Sequence, residues 1–582
     1  MRYPQLKVQA ASRKIVDAFM GYNHNLRIGD GEFFDMKNLT SDFYPVLSPR
    51  SQRGFYVKPA SPQGMIAKDD ICYVDGTDFV MGETRIDMGL SVKAEDCPKQ
   101  MVSMGAYVII MPDKKYINTL DTNDTGSIDA AFTATKNVSF QLCTADGDSY
   151  ENITVSPDAP AEPENLDYWI DTSSQQHVLK QYSSTSETWV SIATTYVKIQ
   201  SEGIGGLFEQ YDGVTLSGIT EASAKALNGS NVVWAKGEDY IIVAGILDAV
   251  TEQAGGVSIS RKMPAVDFVI ESGNRLWGCR YGESNDGKVV NEIYASKLGD
   301  FKNWNCFMGI STDSYAASLG SDGEFTGAIT FLGYPMFFKE HCVHKVYGKY
   351  PASFQIQDTV CRGVQRGCHE SLAIVNETLF YKARSGICAF DGSLPADAGY
   401  ALGSEIYNEA VGGTINNKYY VSMKDTKNKW HLFVYDTAKQ LWHKEDNLHA
   451  SAFCASKGEL YCIDADNKNI ITMLGSGEKD AAPVQWMAET GNLGMNTPDM
   501  KYLSGITLRM MLAKNAKVEI YAQYDLSEEW LHICTMFGTD LRSFNVPIRP
   551  RRTDHVKLKL VGTGEGKIYS ITKTIEQGSD LS

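Results

Sequence analysis

The chain has 582 residues, 43% apolar and 11% aromatic, with 51 glycines, 30 tyrosines and a formal charge of −16. That length admits three or four ordinary domains or one large repeat domain with attachments, and the tyrosine and glycine content favours strands and turns over helices. A net-acidic surface repels phosphate on average, which argues against a dedicated duplex-binding protein; no stretch of 18 apolar residues exists and the first 25 residues hold no leader-like apolar run, so neither membrane spanning nor secretion by a leader is expected.

Residues 1–60 show little regular pattern and are rich in Pro, Arg and aromatic residues, as in FFDMKNLTSDFYPVLSPRSQRG. They are expected to form an extended arm, laid on a neighbour or closing a ring of strands. Between 61 and 120, GMIAKDDICYVDG from 64 and QMVSMGAYVIIMPDKKY from 100 each read as strand, tight turn, strand. Residues 121–200 read as an inserted β module behind a Pro/Glu linker, with Trp169 and Trp189 as core anchors. Residues 201–260 read as a second inserted module, in which TEASAKALNGS (220–230) gives the clearest helix signal.

From 261 to 480 the hairpin returns: AVDFVIESGNRLWG from 265, AITFLGYPMFFKE from 328, SLAIVNETLFYKA from 371, GGTINNKYYVSMK from 412 and ASAFCASKGELYCID from 450. Their start-to-start spacings are 63, 43, 41 and 38, close to the roughly 40 to 50 residues of a four-stranded propeller blade. WHLFVYDTAKQLWHKE (430–445) supplies an outer strand pair of the same kind. A lone four-stranded blade cannot bury both faces, whereas radial stacking can. Residues 481–582 read as a separate β-sandwich, with Val556, Leu558 and Leu560 on one face. The expected fold is therefore all-β: a β-propeller of about seven blades with inserted small β modules and a C-terminal β-sandwich.

Motifs that could carry chemistry are few. HCVH (341–344), with Cys361, Cys368 and His369 downstream, has metal-ligating residue types, but in a strand His341 and His344 point to opposite faces. DTNDTG (121–126) has Asp121, Asn123 and Gly126 in calcium-loop register but Phe132 where a glutamate is needed, and DADNKN (464–469) puts Lys468 at a ligand position; both fit Asx turns. GTGEGK (562–567) lacks phosphate-loop spacing and fits a hairpin turn. The twelve cysteines lie mostly in strand-like runs, as buried free thiols do in a protein assembled in a reducing cytoplasm. No catalytic, metal or cofactor site is expected. Trp277, Trp304 and Trp442 are candidate blade-core residues. The basic groups Arg50 and Arg53, and Arg549, Arg551 and Arg552, are candidate subunit-interface residues, because the guanidinium fork suits a neighbour's carboxylates.

YNHNLRIGDGEFFDMKNLTSDFYPVLSPRSQRG near the start, NRLWGCRYGESNDGKVVNEIYASKLGDFKNWNCF in the middle and VPIRPRRTDHVKLKLVGTGEGKIYSITKTIEQGSDL at the end resemble the large β-propeller structural proteins of tailed bacteriophages, the DNA-stabilisation, tail-hub or tail-nozzle family. The most specific stretch is Asn274–Gly278 followed by IYASKLGDFKNW (293–304). The resemblance implies a virion component assembled in the host cytoplasm. It implies a homo-oligomeric ring, commonly of six copies, below the portal and adaptor and in contact with other tail proteins, through which DNA passes without specific binding. The resemblance carries no catalytic residue. An alternative reading, from another class, is a carbohydrate-binding or depolymerising propeller at the host surface, which needs an exposed aromatic groove with a facing carboxylate pair.

Overall fold

The computed structural model describes residues 11–284, 287–479, 482–495, 500–525 and 527–577; the first ten residues of the expected arm and the last five of the chain lie outside them. Among the described residues helix is confined to five short 3-10 turns, and everything else regular is strand. TEASAKALNGS holds one such turn, Lys225–Leu227, and no longer helix. Gly218 and Gly229, at φ of 76° and 118°, break the chain on either side, and what is left is too short to repay helix nucleation.

Seven strand–turn–strand units open seven antiparallel sheets, at residues 62–87, 100–127, 268–318, 327–360, 373–397, 407–444 and 450–472. These are the blades of a propeller. Its faces are buried pairwise: Val74, Phe79 and Val108 fill the gap between blades one and two. Ile270, Trp277 and Phe337 fill that between blades three and four, and Tyr420, Leu432 and Leu460 that between six and seven. The ring closes where Ile71, Tyr73 and Val80 of blade one meet Ala452, Ile463 and Ile470 of blade seven. Its clasp is Gly54–Val57, which pairs with Asn469–Thr472 as the fourth strand of the last blade. The turns require left-handed backbone, and the first hairpin of blade three meets this with Gly273 at φ 61° and Asn274 at φ 59°.

The insertion between blades two and three is one domain. Strands from both expected modules interleave in a single eight-stranded sheet, with Tyr196–Gln200 lying between Val138–Cys143 and Tyr240–Ala244. Val138, Phe140, Val197, Phe208, Val214 and Ile241 share one core. The division at residue 200 is corrected accordingly: neither half has a complete core. A small sheet, Ile153–Ser156 to Thr188–Ser191, is nested inside it, and there Trp169 packs edge-on to Trp189 at 5.4 Å.

The C-terminal region is not a separate sandwich either. Its strands run in hydrogen-bonded order from Ala11–Val16 through Gly566–Gln577, Lys501–Tyr524, Val556–Thr563 and Gln485–Thr490 to Glu32–Lys37, Gly21–Tyr22 and the outer strand of blade six. Tyr22 is paired with Trp442. The described part of residues 1–60 is thus an integral strand contributor on its own chain, and what it welds together is the propeller and the C-terminal layer.

Candidate functional site

The inner strands leave a cavity of about 390 Å³ on the propeller axis, lined from six of the seven blades. Blade six stands back from it: at Gly412 and Gly413 a Cβ would meet Ser371 O at 2.9 Å and Phe453 Cβ at 2.3 Å, so only glycine lets blades five and seven approach so closely. Gln100 ties the lining together. Its amide accepts from the Val269 N–H and donates to the Val269 carbonyl, both at 3.1 Å, and its Nε2 also lies 3.1 Å from His369 Nε2. Burial pushes His369 down to about 4, so the ring is neutral near pH 7. Its Nε2 then accepts from Gln100, leaving a buried Nδ1 without a partner.

Glu370 follows directly and lines the same cavity. Burial pushes its carboxyl from an ordinary 4.5 up to about 7, with no neighbouring cation to offset the cost. The chemical capacity of the cavity is therefore one carboxyl that exchanges its proton near neutrality, among amide, hydroxyl and apolar groups. An acid raised on folding binds its proton more tightly in the folded chain, so stability is greatest below the unfolded value and declines as pH rises from about 4.5 towards 7. Glu370→Gln removes that decline: by thermal unfolding the variant is expected to melt about 2 °C higher than the parent at pH 8 and level with it at pH 4.

The arginine clusters separate. Arg50 and Arg53 lie beside Glu445 and Asp446 of the same chain: Arg53 reaches each carboxylate at 2.8 Å, and Arg50 reaches them at 3.3 and 3.4 Å. For Asp446, burial alone would raise the carboxyl, but Arg53 and Arg50 more than offset it and hold it below its ordinary value. This corrects their expected place at a subunit boundary: with side chains 13% exposed they instead hold the clasp strand against the turn after blade six. Arg551 lies over the Tyr524 ring at 5.3 Å. Arg549 is exposed, and Arg552 begins the two-residue strand Arg552–Thr553; these three face outward from the C-terminal layer.

Trp277, Trp304 and Trp442 are 2–3% exposed. Trp277 sits between blades three and four, Trp304 between blades two and three, and Trp442 against the N- and C-terminal strands. Around the first two, the residues of the most specific sequence stretch form a latch. Arg275, 2% exposed, donates to the carbonyls of Ser296 at 2.7 Å, Asp313 at 2.5 Å and Ser311 at 2.9 Å. Asn303 donates to Asp212 Oδ1 at 2.8 Å and accepts from the Gly213 N–H at 2.9 Å, while Asp212 is ion-paired to Arg261. The motif therefore fastens the 296–314 loop to blade three and the insertion to both.

Among the described residues no group of three or more His, Cys, Asp or Glu side chains is placed to hold a metal. His341 lies in the bend before the strand Cys342–Tyr347 and is exposed, while His344 within that strand is buried, its Nε2 meeting Ser321 Oγ at 2.9 Å. Cys368 and His369 are in a different blade. Asp121 accepts from the Asn123 N–H, and Asp464 from those of Asp466 and Asn467, as Asx turns. Glu370 was not singled out in the sequence; the available signal was its position just before the fifth repeat of the inner hairpin, where a propeller chain enters the axis.

No protein-family model and no curated protein matches the chain. Among solved structures, the exo-β-1,3-galactanase of Phanerochaete chrysosporium with galactose aligns at 7% identity and TM-score 0.20, over 52% of this chain and 94% of that one. The sialidase of Trypanosoma rangeli in complex with 2,3-difluoro-KDN aligns at 8% identity and TM-score 0.21, over 97% and 96%. Likenesses of that depth carry no argument about this chain.

Proposed function

We propose that the chain is a structural virion protein of a tailed phage, a subunit of a ring at the tail hub or nozzle that surrounds the path of the genome. The observation that carries the reading is the resemblance of residues 274–304 to that family, together with the work those residues do: Arg275 and Trp304 hold the 296–314 loop in place on blade three, Asn303 joins that loop to the insertion, and none of them presents a reactive group. The welding of both ends of the chain into one sheet suits a wall that must withstand pressure. An acidic chain suits a conduit, because phosphate-neutralising contacts would hold DNA and release it slowly.

The duplex would run between subunits and not along the propeller axis. A cavity of about 390 Å³ has the size of a small-ligand site, while the major groove of a duplex alone is about 12 Å wide. One observation favours the second reading, a host-surface glycan-binding or glycan-cleaving propeller: Glu370, with its raised carboxyl, lines the axis cavity. Against it, the three tryptophans that would line an aromatic groove are buried.

Native mass spectrometry of the purified protein, with cryo-EM of its mixture with tail-less particles, separates the two. A closed ring docked coaxially at the portal vertex is the expected result. A monomer that ignores those particles and binds or cleaves glycans overturns it.

A further inference from the structure

The strands that line the axis cavity, Pro62–Ala67, Gln100–Met104, Phe268–Glu271, Gly327–Phe331 and Ala450–Ser456, are each the innermost of their sheet. A strand in that place keeps one side without a partner strand, and its free N–H and C=O groups turn to the axis. The apolar side chains along these strands do not. Ile66 and Met101 pack between blades one and two, Ile270 and Ala328 between blades three and four, and Ala452 between blades seven and one. What the cavity offers an occupant is therefore polar backbone and a few polar side chains.

One of those side chains carries an uncompensated charge. Glu370, in the 3-10 turn His369–Ser371 that leads into blade five, is part-buried, and the surface left to it lies on the cavity. Among the described residues no hydrogen bond or ion pair reaches its carboxylate. The other ionisable groups of the wall are engaged. Lys99 Nζ lies 2.6 Å from Asp113, and Glu271 accepts from the Asn274 N–H at 2.9 Å. His369 meets Gln100 through Nε2 while its ring packs on Phe268 at 4.5 Å. Proteins keep an enclosed carboxylate when it is paired or coordinates a metal, and a buried polar group without a protein partner calls for an ion or water.

We propose that the axis cavity is a calcium site, with the Glu370 carboxylate as its anionic ligand and main-chain carbonyls of the inner strands and water as the rest of an all-oxygen shell. The chemistry of the wall selects this ion. The one free charge repels anions, and an organic ammonium would find no apolar wall for its body. Zinc and copper favour nitrogen or sulfur ligands, and the imidazole here is already committed. Magnesium demands a near-ideal octahedron, whereas calcium takes about six to eight oxygens, main-chain carbonyls among them, in loose geometry. The volume of about 390 Å³ is far above the roughly 10–15 Å³ that one water needs, so an ion fits with its waters. Touching strands of several blades, the ion would clamp the ring from within and leave Glu370 no catalytic task.

The test uses the full chain, freed of metal with a chelator and titrated with calcium chloride or magnesium chloride by calorimetry. One calcium per chain is expected, bound at least tenfold more tightly than magnesium. Calcium at about a hundred times Kd should raise the first melting transition by about 2 °C. Glu370→Gln keeps the shape and removes the charge. It is expected to weaken calcium binding at least tenfold, while its metal-free melt at pH 8 stays at or above the parent's and reports intact folding. Asp121→Asn and Asp464→Asn, in the two Asx turns that share part of a calcium-loop pattern, are expected to bind as the parent does. A parent that binds no calcium, or a Glu370→Gln variant that binds it undiminished, overturns the site. A loss that follows Asp121→Asn or Asp464→Asn instead moves the ion to a surface turn and overturns it as well, and equal affinity for magnesium overturns the choice of ion. A monomer that binds calcium through Glu370 and docks on no particle keeps this inference and overturns the tail reading alone.

Discussion

Replacing Arg275 by alanine is expected to lower the stability of the propeller by about 3–5 kcal/mol. The guanidinium is almost fully buried and donates to three carbonyls within the 296–314 loop and at its ends, at 2.5–2.9 Å. Alanine leaves those carbonyls without a donor in a site from which water is excluded, and removes the guanidinium that lies over the Phe354 ring at 5.8 Å. A chain of this size need not unfold in one step, so two readouts are needed. The first melting transition should fall, and protease should cut the 296–314 loop where the parent resists. Arg275→Lys keeps the charge but offers a point donor in place of a planar fork, and should recover less than half of the loss. A variant as stable as the parent would mean the loop is held by its other contacts, chiefly the Trp304 Nε1 donation to Phe301 O at 2.9 Å and its packing.

The second large effect is expected at Asp212. It is ion-paired with Arg261, both side chains are 6% exposed or less, and its other oxygen accepts from Asn303. Asp212→Ala strands a buried guanidinium and takes away one of the two carboxylates that the Asn303 amide donates to, which costs about 3–5 kcal/mol. Asp212→Leu with Arg261→Met removes both charges and should recover most of that, because well-packed apolar groups replace a buried pair at little cost. The location of the damage discriminates. Asp212 joins the insertion to blade three, so hydrogen exchange should rise around 212–217 and 258–261 while blades four to seven keep their protection. A uniform loss across all blades would show instead that the insertion and the ring fold as one unit.

The repeated inner hairpin was legible in the sequence because a turn demands residues that tolerate left-handed backbone and an inner strand demands an apolar run; both are local requirements. From that signal came the strand class, the number of blades and their order. The placement of Trp277 between blades is of the same kind, since a large ring in a strand that faces a neighbouring blade has nowhere else to go. The interleaving of the two inserted segments into one sheet was not legible. Which strand lies beside Tyr196–Gln200 is a matter of long-range pairing, and alternation within a strand says which face is buried but not against what.

The same limit explains the arginines. Arg50 and Arg53 looked like free basic groups because their partners, Glu445 and Asp446, lie nearly four hundred residues away and meet them only when the clasp strand docks on blade seven. Glu370 was silent for a related reason. Its carboxyl is ordinary until the blades close around the axis cavity, and the rise to about 7 is a property of the enclosure and not of the residue. The sequence by itself determined the repeat, and with it the propeller, because periodicity is written into neighbouring residues. The tertiary structure alone decided which charges are spent, which carboxyl is raised and which strand edges are left open, because those depend on partners that only the closed ring brings within a few ångströms.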